Sequence, residues 1–149
     1  MFWFILFLTF FFMEAVAWFT HKYIMHGFLW SLHEDHHTHE NSGFFEKNDS
    51  FFLIFALPGA SCIIFGSIFL NNILLAVGLG ISAYGLCYFL VHDVFIHRRF
   101  KWLRKAKGRY FKGIRRAHKM HHKHRGKEDG ECFGMLWVPI KYLKAKKSK

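Results

Sequence analysis

Between Phe51 and Val91 lie 41 consecutive residues without one Asp, Glu, Lys, Arg or His. No soluble helix needs so long an uncharged run. Inside a bilayer every backbone polar group must be satisfied within the segment, and about 20 residues in a helix cross the hydrocarbon core. The run is long enough for two crossings, with Asn71-Asn72 as the turn between them. Pro58-Gly59 is expected to kink the first of these helices rather than end it, because a break there leaves pieces too short to span. A further apolar run, Phe2 to Thr20, carries Glu14 as its one charged residue and reads as another span. The expected spans are therefore approximately residues 2–20, 51–70 and 73–91, within a single membrane-embedded domain covering residues 1–149. Ala15-Val16-Ala17 has the small-x-small form of a leader cleavage site. No Lys or Arg precedes the run, and cleavage would remove the helix that presents the first histidines, so a retained helix is expected.

Charge orients these spans. Of 21 Lys and Arg residues, 19 lie from Arg98 onward, and they dominate a net charge of +11. The positive-inside rule places that end in the cytoplasm. Three spans then put the N-terminus outside, residues 21–50 inside, Asn71-Asn72 outside and residues 92–149 inside. The fold class expected is an all-α integral membrane protein, with three to four transmembrane helices and a cytoplasmic histidine-rich cap. The short aromatic stretch Phe133 to Pro139 is expected to dip into the interface rather than span. Cys62 and Cys87 fall inside spans and Cys132 stands alone, so neither a disulfide framework nor a thiolate zinc site is indicated.

Ten of the twelve histidines repeat one order on the two sides of the central apolar run. His21-x4-His26 precedes His33-x2-His36-His37, and His92-x4-His97 precedes His118-x2-His121-His122. Imidazole is the commonest metal ligand and accepts iron, zinc and copper. The repeat points to a metal site holding more than one ion. In an H-x2-H-H box the three rings share one helical face. An i, i+5 pair is rotated by about 140° on a regular α-helix. So the H-x4-H rings either reach different ions or sit where the helix loosens, and Gly27 marks such a place. His39 and His124 lie six residues from the start of their boxes and point off the shared face, as surface or supporting residues rather than ligands.

Ten neutral imidazoles around two divalent ions leave four positive charges uncompensated, and ligating histidines normally donate their second N–H to a carboxylate or carbonyl. Glu34, Asp35, Asp93 and Glu14 are the candidates. Glu14 precedes His21 by two helical turns, and a carboxyl inside a span usually faces the protein interior. It is expected either to support a box imidazole or to line the substrate channel.

Four alternating H-x4-H and H-x2-H-H boxes with spans between them resemble the fatty acid hydroxylase superfamily of integral-membrane oxygenases. The words from His21 to Trp30 and from His33 to Thr38, Phe45 to Asp49, His92-Asp93, Ala117-His118 and Phe133-Gly134 are similar to those of its bacterial β-carotene hydroxylase branch. Resemblance covers Glu14 to Pro139. It implies a di-iron centre (Fe2+, with zinc acceptable to the same ligands in a purified sample) on the ten box histidines. It also implies O2 as co-substrate, hydroxylation of carotenoid β-ionone rings at C3 and a ferredoxin-type electron donor. His39 and His124 are not called for by the family pattern.

The residues agree with such chemistry. An unactivated C–H bond requires an oxidant that no side chain supplies. A rigid polyene dissolved in the bilayer would enter laterally between spans, where many of the 20 phenylalanines lie, although most of those face lipid or pack the bundle. The basic block from Arg98 to Arg116 suits anionic headgroups, with donor docking as a second use, and is a poor fit to nucleic acid. Rival readings are a carotenoid ketolase, a sterol or fatty-acyl hydroxylase, or a membrane metal carrier.

Overall fold

The computed structural model describes residues 1–38, 43–103 and 108–144. His39 lies outside the described residues, as does segment 104–107 of the basic block. Among the described residues the regular structure is entirely helical: α1 (Phe2–Phe19), α2 (Trp30–Thr38), α3 (Phe51–Ile68), α4 (Asn72–Phe89), α5 (Arg109–His121) and α6 (Ile140–Leu143). Two of them run on into wider π-helical turns, α1 through Thr20–Phe28 and α4 through Leu90–Ile96. With these extensions three helices, Phe2–Phe28, Lys47–Ile68 and Asn72–Ile96, are long and apolar enough to cross a membrane. The helix containing Pro58 continues past it, as expected. The fourth crossing left open by the sequence is not found among the described residues; Phe133 to Pro139 is irregular chain.

The turn at Asn71 follows from its side chain. Its Oδ1 accepts the N–H groups of Ile73 and Leu74, each at 3.0 Å, which caps α4. That helix is the centre of the bundle and packs against both α1 and α3. Two glycines allow this. A Cβ at Gly78 would stand 2.7 Å from Ile63 N, and one at Gly80 would stand 2.7 Å from Leu6 O, so each lets a neighbouring backbone approach. Met13, Ala17 and Tyr84 form the core between α1 and α4. Outward-facing Trp3, Phe4, Phe11, Phe12 and Phe69 remain exposed, as suits a lipid-facing surface.

The cap is built differently. α5 is basic on one face and buries Gly113, Ile114, Ala117, His118 and His121 on the other. Ile114 and Ala117 pack with Phe95 and Val138. Arg115 donates to Phe95 O from Nε (3.3 Å) and Nη2 (3.1 Å), covering a carbonyl at the end of the second π-turn. These contacts bring α5 over one end of the bundle, while α2 reaches it through its packing on Thr20–Phe28 and Lys47–Ser50, and all four histidine boxes meet there.

Candidate metal centre

The H-x4-H spacing is accommodated by the backbone. In each box the chain widens into a π-turn, whose i→i+5 hydrogen bonds place residues five apart nearly above one another. His97 N–H bonds to His92 O at 2.9 Å, and Leu29 N–H bonds to Ile24 O at 3.0 Å. The ring centroids are consequently 5.3 Å apart for His21 and His26, and 4.5 Å apart for His92 and His97. Of the two alternatives the sequence left open, the helix loosens. Gly27, at φ −105° and ψ −122°, then breaks the helix just after His26.

The rings assemble into two groups. His21, His26, His33, His37 and His121 each turn one nitrogen into the first; His36, His97, His118 and His122 do so in the second. Within a group these nitrogens lie within 4.8 Å of one another. His92 Nε2 lies 3.2 Å from His36 Nε2, at the edge of the second group. The H-x2-H-H rings do share a helical face, yet they do not serve one group. His33 and His37 go one way and His36 the other, while His118 and His122 go one way and His121 the other. The sequence repeat thus becomes an approximate structural repeat in which each half lends one ring to its counterpart. The groups touch: His37 and His122 stack with centroids 4.5 Å apart.

What orients the rings decides their chemistry. Nδ1–H of His21 donates to Phe133 O (3.0 Å), His26 to Lys127 O (3.0 Å), His37 to His124 O (2.9 Å) and His121 to Glu131 O (2.9 Å). A carbonyl only accepts, so each Nδ1 carries the proton and each Nε2 presents a bare lone pair. These lone pairs face one another: His26 and His121 Nε2 are 3.3 Å apart, and His21 and His33 Nε2 are 3.1 Å apart. Neither member of the first pair has a proton to share, so the arrangement repels itself unless a cation lies between them. The donor set therefore fits a metal that accepts imidazole. Burial keeps His33 and His121 neutral, holding them down to about 2 and about 3. Burial, followed by neighbouring imidazoles, also drives His36 and His118 well below the ordinary range.

The predicted supporting carboxylates fare unevenly. Asp93 Oδ2 lies 3.6 Å from His92 Nδ1, beyond a good hydrogen bond, and Oδ1 accepts from Arg99 Nη1 at 3.2 Å. The other three make no hydrogen bond to a ring among the described residues. Glu34 is exposed, because the helix face opposite the ligands points to solvent. Asp35 accepts Lys47 N–H at 2.7 Å and joins α2 to the following turn rather than holding an imidazole. Glu14 accepts the N–H groups of Met135, Leu136 and Trp137 at 2.8–2.9 Å and the Tyr84 O–H at 2.7 Å, so its oxygens are taken up away from the rings. The groups that hold rings and were missed are Glu46, 2.6 Å from His36 Nδ1, and Asn48, whose Oδ1 is 2.6 Å from His33 Nδ1. Both lie in the short word Phe45 to Asp49, whose signals were its family resemblance and the spacing of a capping box between Glu46 and Asp49. His124 contributes its carbonyl, while its ring is in neither group.

Below the rings lies a cavity of about 740 Å3 between α1, α3 and α4. Phe51, Phe55, Ala60, Ile63, Ile81 and Phe89 form much of its wall, and His21 and His92 also line it. Phe133 and Met135 of the cap contribute to the lining, as do Asn48, Asp49, Asp93 and Arg99.

The profile of the fatty acid hydroxylase family matches residues 6–141. The chain belongs to the fatty acid hydroxylase family. Among relatives, it is 42% identical over 135 residues to a β-carotene hydroxylase of Pantoea ananas, covering 91% of this chain and 76% of that one. It is likewise 42% identical over 128 residues to a β-carotene hydroxylase of Pseudescherichia vulneris, covering 85% and 70%. A β-carotene hydroxylase of a Paracoccus species is 34% identical over 128 residues, covering 85% and 78%. No solved structure matches the chain. The match to this hydroxylase family takes in all four histidine boxes, the second and third spans and the first from residue 6 onward.

Proposed function

We propose that this membrane enzyme hydroxylates carotenoid β-ionone rings at C3, taking β-carotene through β-cryptoxanthin to zeaxanthin. The observation that carries the reading is the largely apolar cavity lined by residues of the three spans together with His21 and His92, which suits a long hydrocarbon. Relatives named as β-carotene hydroxylases, of whose own length this chain covers 76%, 70% and 78%, support the substrate class.

In this reading the two histidine groups hold two iron ions, with His21, His26, His33, His37 and His121 as ligands of one. His36, His92, His97, His118 and His122 hold the other, His92 joining on the strength of its contact with His36. When bound, the ions supply O2 activation, chemistry that no side chain provides. Overall, one C–H bond becomes C–O–H. The second oxygen atom leaves as water, using two electrons from a ferredoxin-type donor and two protons. The chain's own contribution is positional. The cavity wall excludes water and holds one ring end near the histidines, which makes the site of attack a matter of distance. Glu46, Asn48 and four backbone carbonyls fix the imidazole tautomers and their aim. The excess of Lys and Arg beyond Arg98 supports a cytoplasmic cap resting on the anionic headgroups of a bacterial inner membrane.

Pigment analysis tests this directly in a bacterium that accumulates β-carotene and expresses the chain. Hydroxyls at C3 add oxygen without lengthening the polyene, so products gain mass while their absorption bands stay in place. Loss of those products with His36→Ala completes the result. A red shift from a ring ketone makes the enzyme a ketolase. Unchanged β-carotene, with the protein in the membrane and a working ferredoxin present, overturns the carotenoid reading.

A further inference from the structure

Glu14 stands inside an apolar span, where a carboxyl group is costly and rare. It is nevertheless fully engaged. Its Oε1 accepts the consecutive N–H groups of Met135, Leu136 and Trp137 at 2.9, 2.8 and 2.9 Å, and its Oε2 accepts the Tyr84 hydroxyl at 2.7 Å. A Cβ at Gly134 would come within 3.0 Å of Oε1, so the chain there is shaped around the carboxylate.

The segment that Glu14 anchors leads directly back to the rings. Reading backwards from Met135, the carbonyls of Phe133, Glu131, Lys127 and His124 accept Nδ1–H from His21, His121, His26 and His37. Four of the five rings in one group are thus aimed by a single strap of chain. The Phe133 ring packs against three of them, with centroids 5.4 Å from His21, 5.1 Å from His26 and 5.2 Å from His121. In the other group His36 is held by Glu46 rather than by this strap. Backbone carbonyls can aim an imidazole only as firmly as their own chain is fixed.

We propose that Glu14 is a positioning residue for the five-histidine group alone. It anchors the carbonyl strap at the membrane, and its loss weakens one metal position while sparing the other. The inference rests on the reading of two metal positions given above. It makes the two positions separately adjustable, one through the strap and one through Glu46.

The test uses the full chain in detergent, stripped of metal and titrated with Zn2+ against a chromophoric chelator. Zn2+ suits the same ligands and has no redox chemistry of its own. The wild type should load in two steps. Glu14→Ala should lower affinity in one step by about 10–100-fold, the usual effect of losing support around a ligand, and leave the other unmoved. Glu46→Ala should move the opposite step. Where Glu14→Ala gives no folded protein, Glu14→Gln, which keeps one oxygen within reach of the three N–H groups, is read by the same criterion with a smaller shift. General loosening of the fold would move both steps. Equal shifts in both steps, or in neither, overturn the proposal. A single loading step in the wild type overturns the two-position reading itself and removes the basis of the proposal with it.

Discussion

Replacing Arg99 with alanine should destabilise the cap by about 2–3 kcal/mol, a figure between the values for exposed and for buried charge pairs. The side chain ties together three acidic residues from two parts of the chain. Nη1 bonds Asp49 Oδ1 at 2.7 Å and Asp93 Oδ1 at 3.2 Å, while Nη2 bonds Asp49 Oδ2 at 3.0 Å and Phe44 O at 3.1 Å. Glu46 lies 3.8 Å away. Only 17% of the Arg99 side chain and 16% of Asp93 are exposed, against 28% for Asp49, so solvent screens the cluster in part. Fully buried pairs lose about 3–5 kcal/mol when one partner goes, and surface pairs about 0–1. Alanine would leave three carboxylates facing one another with no cation among them. The assay is thermal unfolding in detergent, where the loss should appear as a melting temperature lower by about 5–10 °C for a chain of this length. Arg99→Lys should recover only part of it, because an ammonium cannot fork between Asp49 and Asp93. A melting temperature for Arg99→Ala within about 1 °C of the wild type would refute the reasoning, since the cluster would then be too well solvated to matter.

Other outcomes follow from the same geometry. Metal-free protein should lose stability as pH falls. An unfolded imidazole protonates near about 6.5, whereas His33 and His121 resist to about 2 and about 3, so below pH 6.5 the unfolded chain takes up protons that the folded one refuses. The slope is up to about 1.4 kcal/mol per pH unit for each such ring, and a flat profile of melting temperature between pH 7 and pH 5 contradicts buried neutral rings. Ala60→Phe should fill part of the cavity wall and cut carotenoid turnover by about tenfold or more, with metal content unchanged when both are measured on one preparation. Gly78→Leu should cost about 1–3 kcal/mol in thermal unfolding, because even its Cβ meets the α3 backbone at Ile63 N and Gly59 O.

The spans were readable because 41 uncharged residues admit few structures, Asn71 sits where turn chemistry expects it, and span length outweighs the break that Pro58 would otherwise signal. The histidines were readable because a repeated order of ligand-type residues is rare by chance. Their supports were not. Carbonyls of Phe133, Glu131, Lys127 and His124 aim four rings, and a backbone carbonyl is the same whatever residue bears it. Nothing in the letters distinguishes those positions from their neighbours. Glu46 and Asn48 do carry side-chain information, but only folding of the loop after α2 brings them within 2.6 Å of His36 and His33. Adjacency misled in the opposite direction: Glu34 and Asp35 stand next to ligands in sequence, yet neighbouring residues on a helix point to different faces. Glu14 stood out as an acid within a span, but three of its partners lie more than 100 residues away in an irregular segment and the fourth, Tyr84, is on another span.

The wide turns at Thr20–Phe28 and Leu90–Ile96 bear on anyone who would build such a centre anew. Each amounts to one surplus residue accommodated within a single turn of an otherwise ordinary helix. On an ideal α-helix a surplus residue swings everything after it by about 100°. A designer who grafted the native ligand spacing onto straight scaffold helices would therefore aim His26 and His97 away from their partners, and the copied motif would be complete in letters yet two ligands short in space. The workable transplant either keeps the loosened backbone or deletes one residue between each pair, trading fidelity of sequence for fidelity of geometry.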